Sequence, residues 1–296
     1  MPSSTRIIII LILLSLLTSG CNKKTAEITI IPESENKTVE SADDMAGQEN
    51  QNRPLLEIEP GDTAFILVRE DGAPGMYLGS DGELHGFYVD LEKMIMNRMG
   101  QTYEFVHYND ISLVIQGIKS GLYHIAMAVP DLPDYRSFLN LSIPYEILHY
   151  VTFVSKENMD IKGGSREEVL KSLHGKKVGV QTRGHIYQYL RDIKEIELIE
   201  YPTTTQALAD LTSGAVDAVP DVMRIGIYYA DQNDWSIEPR GEVIMNQKLT
   251  TAFSKRLDKG LMNRYNSALQ SLILDGSLES LYKSYFGTMD EDNKPW

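Results

Sequence analysis

From residue 63 onward, short apolar runs alternate with stretches of helical period, and this alternation limits the possible folds more than any other feature of the chain. "TAFILV" (63–68), "YEFV" (103–106) and "YHIAMAV" (123–129) read as strands. Between the first two, "GFYVDLEKMIMNRMG" (86–100) sets Leu91, Met94, Ile95 and Met99 on one helical face, with Gly100 placed to end it. "ISLVIQGIKSG" (111–121) turns Val114, Ile115 and Ile118 inward and stops at Gly121. The cluster Met94, Met96 and Met99 reads as core packing. The pattern then recurs: strand "KKVGV" (176–180), helix "TRGHIYQYLRDI" (182–193), strand "IELIEY" (196–201), helix "TTTQALADLTSG" (203–214) with threonines to cap it, and strand "AVDAV" (215–219). Strands separated by helices of this length predict parallel βαβ units.

Two segments echo each other. "SGLYHIAMAVPD" (120–131) and "SGAVDAVPD" (213–221) both run from a helix-ending Ser-Gly through an apolar strand into Val-Pro-Asp. The chain therefore reads as two α/β lobes on one plan, divided near "TFVSKEN" (152–158). In open α/β sheets ligands sit beyond the carboxyl ends of the strands. Asp131 and Asp221 are expected there, one per lobe; an aspartate at such a place also suits a helix N-cap, and the two roles coexist.

The N-terminal end has a different character. Residues 1–21, "MPSSTRIIIILILLSLLTSGC", carry one positive residue, Arg6, then an apolar run too short for a comfortable membrane span. This is the layout of a secretory signal. Cys21, the only cysteine, follows "TSG" and looks like the acylated cysteine of a bacterial lipobox, although Thr18 stands where leucine is usual. Acyl chains bury enough methylenes to hold a protein at a bilayer. Residues 22–54 are polar, lack aromatics and have no sustained period, which predicts a flexible tether; "EITII" (27–31) is its one strand-like run.

Charge and motif content exclude several functions. The formal net charge is −14, or −15 once the leader with its single Arg6 is removed. An acidic chain without a basic patch argues against nucleic-acid partners. No phosphate loop, nucleophile elbow or spaced Cys/His set is present, and His85, His107, His124, His149, His174 and His185 have no close metal-ligand spacing. No cofactor, metal or catalytic residue is expected.

Five segments taken in order, "DGELHGFYVDLEKMI", "VIQGIKSGLYHIAMAV", "YRSFLNLSIPY", "GKKVGVQTRG" and "LILDGSLESLYKSYFG", resemble the polar-amino-acid family (family 3) of bacterial extracellular solute-binding proteins. The resemblance runs from about residue 61 to 287. It implies an α/β, two-lobed periplasmic-binding-protein (flytrap) fold, each lobe a βαβ sheet with flanking helices, that closes on a small-molecule ligand and hands it to an ABC permease. It also implies that the helices after residue 257 return to the first lobe. The expected organisation is a signal peptide (1–20), lipidated Cys21 and tether (21–56), lobe 1 (57–153 plus 250–289), lobe 2 (154–249) and a tail (290–296), with hinges near 152–158 and 246–252. A monomer anchored by lipid at the cell membrane, facing periplasm or exterior, is the expected form.

Laid on the family pattern, Arg136 matches an arginine that pairs with the ligand's α-carboxylate, a role its fixed charge and two-pronged donor geometry suit. An internal pair with Asp131 or Asp134 is the alternative. Asp221 matches an aspartate facing the α-ammonium. Asp131 replaces the usual Ser or Thr, and Ala73, Met76 and Ile111 stand where aromatic rings usually sandwich the ligand. The turn that usually reads Gly-Ser-Thr reads Arg183-Gly184-His185. The backbone at Gly184 is a candidate anion site and His185 a candidate ligand contact, or else a surface residue. This charge set favours a cationic or zwitterionic amino acid, short peptide or amine. Two other readings stay open: a cyclohexadienyl-dehydratase-like enzyme with Asp131 or Asp221 as general acid, and a sensor or cell-wall-binding module.

Overall fold

The first strand, β1 (Ala64–Val68), is followed by the short strands β2 (Asp71–Gly72), β3 (Met76–Leu78) and β4 (Leu84–His85) and helix α1 (Phe87–Met99). The computed structural model describes residues 55–108, 111–182, 184–287, 289 and 291–295. The signal, Cys21, the tether and Arg183 lie outside the described residues. Next come β5 (Tyr103–His107), α2 (Ile111–Ser120), β6 (Ile125–Pro130), α3 (Pro133–Phe138), β7 (Leu139–Leu141) and β8 (Glu146–Ser155). The second half holds α4 (Arg166–Ser172), β9 (Lys177–Gln181), α5 (His185–Leu190), β10 (Glu197–Tyr201), α6 (Thr204–Ser213), β11 (Val219–Val222) and α7 (Met223–Asn233). The long strand β12 (Ile237–Ser254), α8 (Lys259–Leu274), α9 (Ser277–Phe286) and a 3-10 turn (Glu291–Asn293) complete it.

Helix ends follow the sequence signals. Gly100 (φ 66°) and Gly214 (φ 78°) close α1 and α6 in the left-handed conformation that glycine adopts at least steric cost. The Thr203 side chain accepts from the Gln206 N–H at the start of α6, and Ser165 and Glu168 form a reciprocal capping box on α4.

A seven-stranded sheet runs β11-β8-β12-β6-β1-β5, with β7 also paired to β12. β1 lies parallel to β5 and β6, as a βαβ unit requires. β12 is antiparallel to β6 and β7 through its C-terminal part and to β8 along most of its length. β9 and β10 pair in parallel, and Val178 of β9 bridges to Ala218 just ahead of β11. One lobe is thus built on β5, β1 and β6 and the other on β10, β9 and β11, with β8 and β12 shared between them. α8 and α9 pack against α1 of the first lobe, for example through Arg98 to Ser271 and Asp275 at 2.6 and 2.9 Å.

Two departures from the sequence reading matter for the site. The strand expected at 215–219 forms instead at 219–222, because the chain pairs antiparallel with β8, Asp221 opposite Val151. Pro220, which has no N–H to donate, is tolerated on this short strand at the margin of the sheet. Asp131 therefore follows its strand while Asp221 lies within one. The tail is also placed: His149 of β8 sits 3.1 Å from the Asp292 carbonyl, and Asn293 donates to the Ile147 carbonyl at 3.3 Å.

Candidate functional site

Asp131 emerges from β6 with its N–H donating to the Lys248 carbonyl of β12 at 2.9 Å, which fixes the carboxylate at the start of the α3 turn. One turn on, Arg136 grips it with both prongs: Nε donates to Oδ1 at 2.6 Å and Nη2 to Oδ2 at 2.8 Å. The internal pair is what the structure holds, and the carboxylate-gripping edge of Arg136 is occupied by it. The Arg136 side chain is 56% exposed. Exposed pairs contribute little because water screens them and two long side chains must be ordered. Arg136→Ala is accordingly expected to change unfolding stability by less than about 1 kcal/mol in urea titration, so any larger effect of this variant on solute affinity would be read as a binding effect.

Beside Arg136, the Tyr135 ring meets His185 edge-on, centroids 6.4 Å apart at 85°. α3 belongs to the first lobe and α5 to the second, so this contact spans the cleft. Burial pushes the His185 imidazole below its usual pKa, which keeps it neutral near pH 7. The Gly184 N–H donates to the Gln181 carbonyl at 3.0 Å, so that amide is engaged within its own turn. Met76 packs in the core that α1 covers, 7% exposed.

Asp221 is 8% exposed on β11. Its Oδ2 accepts from the Thr204 hydroxyl and its Oδ1 from the Val222 N–H, both at 2.6 Å. Burial raises its carboxyl pKa; those two bonds and the charge of Arg224 pull the other way. Burial and the nearby Asp221 charge push the Tyr150 hydroxyl up. Among the described residues no hydrogen bond or ion pair joins Asp221 to a cation, nor to Asp131.

Sequence reasoning missed one heavily bonded group that joins the two lobes. Arg224, in the first turn of α7, donates through Nε to Glu146 Oε1 at 2.8 Å and through Nη2 to Oε2 at 3.0 Å and to the Tyr88 hydroxyl. Tyr88 in turn donates to Glu146 Oε2 at 2.7 Å. Glu146 is 1% exposed and Arg224 12%. Burial opposes the charge on Arg224, but the adjacent Glu146 carboxylate outweighs it and raises the guanidinium pKa. The available signal was weak: an acid opening the apolar run "EILHYVTFV" and a lone cation in "VMRIGIYY", 78 positions apart. Nothing local pairs them.

A groove of about 600 Å³ lies elsewhere, lined by Ile147, His149, Val243, Asn246, Lys248 and Asp292. It touches none of Asp131, Arg136, His185 or Asp221. Among the described residues no group of three or more His, Cys, Asp or Glu is placed to hold a metal, and no helix is long and apolar enough to cross a membrane.

Two lobes that share β8 and β12, with side chains from both meeting in one cleft, define the two-lobed fold of the periplasmic binding proteins. A solved histidine kinase sensor domain with similarity to periplasmic binding proteins matches it with TM-score 0.67 at 23% identity, covering 77% of this chain and 97% of that one. An ancestral arginine-binding protein bound to arginine matches with TM-score 0.65 at 26% identity, covering 76% and 98%. In sequence, the histidine-binding periplasmic protein of Escherichia coli is 27% identical over 231 residues, 72% of this chain and 84% of that protein. The pattern of bacterial extracellular solute-binding proteins, family 3, spans residues 65–288. The chain belongs to that family and is a solute-binding protein.

Proposed function

We propose that the protein captures a cationic or zwitterionic amino acid, or a related amine-bearing solute, between its lobes and delivers it to an ABC permease while held at the membrane by lipid on Cys21. The observation that carries the solute class is Asp221: a buried carboxylate oriented by Thr204 and Val222, with no cation bonded to it among the described residues. A ligand ammonium would supply the missing charge, because burying an acid is costly until it is paired. Arg136 and Asp131 form the second contact, with Asp131 releasing one prong of the guanidinium to a ligand carboxylate. His185 and Met76 are the remaining proposed contacts, and Gly184 sets the backbone of the turn that carries His185.

Ligand bridging both lobes binds the closed form more tightly than the open one and so stabilises it, and the permease reads that form. We place the hinge where β8 and β12 pass between the lobes, at residues 147–149 and 246–248. From residue 150, β8 is already paired with β11, so bending there would break the second-lobe sheet. The relatives named above bind histidine or arginine by their descriptions, which supports a basic amino acid as the solute.

The test is calorimetric titration of the full chain in detergent, unfolded and refolded to strip carried-over solute, against arginine, lysine, histidine, glutamine, glutamate and prephenate. A basic amino acid is expected to bind, and Asp221→Asn to weaken it by roughly 10- to 100-fold, the range for losing a charged hydrogen-bonded contact. Binding of glutamate alone, or affinity untouched by Asp221→Asn, would overturn the solute class. Turnover of prephenate would replace binding with catalysis.

A further inference from the structure

We propose that Glu146, Tyr88 and Phe286 form a guanidinium-binding site that the protein fills with its own Arg224, so that the lobes are held shut without any solute. The site has three elements that recognition of a free guanidinium uses. One carboxylate receives two nearly parallel N–H bonds, the geometry in which a charged pair is strongest. The Tyr88 hydroxyl accepts a hydrogen bond from Arg224 and donates its own O–H to Glu146, so the network closes on itself. The Phe286 ring lies 4.6 Å and the Tyr88 ring 5.6 Å from the guanidinium carbon, within the range of cation–π attraction.

What makes this a site rather than an ordinary core ion pair is the origin of its parts. Tyr88 lies in the first turn of α1, Phe286 closes α9, and Glu146 begins β8 where it leaves the first lobe. Arg224 comes from α7, which packs on β8 and β11 in the second lobe. Opening the cleft therefore withdraws the guanidinium from its pocket as a unit, leaving an acid flanked by two rings facing solvent. One guanidinium nitrogen, Nη1, is buried without a hydrogen-bond partner. The bonds thus engage both Glu146 oxygens and leave one Arg224 nitrogen unmatched. A solute that closes this cleft meets an arginine already acting as a tethered ligand, three residues beyond Asp221.

The decisive experiment measures closure with no amino acid present, so its outcome does not depend on which solute the protein carries. Spin labels on Leu122→Cys and Met159→Cys, exposed positions in the first and second lobes, are placed in a Cys21→Ser background of the full chain. Pulsed electron paramagnetic resonance then gives the interlobe distance distribution. The parent is expected to show one narrow population, and Arg224→Ala to move most molecules to a broader one. Millimolar methylguanidine should return Arg224→Ala to the narrow population at concentrations at least about tenfold below those of methylammonium, since an ammonium lacks the planar fork. It should fail to do so in Arg224→Ala with Glu146→Gln. Arg224→Met, which keeps the length and apolar packing of the stem, should open the cleft as Arg224→Ala does. A parent already broad, an Arg224→Ala distribution identical to the parent, or no preference for methylguanidine would each overturn the proposal. Failure of both Arg224 variants to fold would also overturn it, because the pair would then belong to the core and not to a releasable closure.

Discussion

Replacing Phe87 by alanine is expected to lower unfolding stability by about 3–5 kcal/mol, the range for emptying a large buried aromatic site. Phe87 is 0% exposed at the first position of α1. Its ring meets Tyr88 at 5.2 Å, Phe286 at 5.3 Å, Tyr282 at 5.6 Å and Tyr285 at 6.0 Å, each edge-on. Such pairs add to simple burial because ring edges and faces carry opposite partial charge. The cavity would open between α1 and α9, the two elements that present Tyr88 and Phe286 to Arg224. Urea unfolding of the parent and Phe87→Ala measures it; a loss below about 1 kcal/mol would mean that α9 settles onto α1 and fills the space.

Glu92 gives the second large effect, and here pH decides the sign. It lies on the buried face of α1, where burial raises its carboxyl pKa from 4.5 to about 8 while the Tyr265 hydroxyl, donating at 2.8 Å, pulls weakly the other way. The folded protein thus keeps this proton across a window in which the unfolded chain releases it. The folded state binds more protons there, so this group's contribution is most favourable below pH 4.5 and is lost as pH rises through about 8. At about 1.4 kcal/mol per pH unit the full loss over these roughly 3.5 units is on the order of 5 kcal/mol. Glu92→Gln removes the titration. The amide leaves a buried donor unpaired at a cost of about 1–3 kcal/mol, so the variant is expected to be less stable than the parent at pH 5 and more stable at pH 9. Urea midpoints at pH 5, 7 and 9 check this; parallel curves would show that Glu92 is ionised throughout in the folded protein.

Glu92 also shows where reading the sequence stops. In "VDLEKMIMNRMG" the acid sits next to the apolar stripe, and the helical period places Leu91 and Ile95 inward without specifying how wide the buried face is. That width is set by α8, whose Tyr265 reaches over Glu92 from 173 positions away. Arg224 and Glu146 were invisible for the same reason, since each looks like a solvated charge until the second lobe is laid on the first. Asp221 was found as a candidate, but its place inside a strand was not, because antiparallel pairing to β8 determines that register. Arg136 and Asp131 were both legible, and so was their pairing as an alternative, because they are five positions apart across one short turn.

The sequence by itself determined part of the element order: apolar runs became β1, β5, β6, β9 and β10 within a residue or two, and glycine and threonine set the helix ends through local dihedral preference and capping, whereas the shared strands β8 and β12 were not read. It also determined the two-lobed plan, since alternating strands and helices of this length leave few other ways to bury both faces of each sheet. The tertiary structure alone decided which charges are spent inside the molecule. Hydrogen bonds and ion pairs across the cleft depend on distances of about 3 Å between residues far apart in the chain, and no local pattern carries that information.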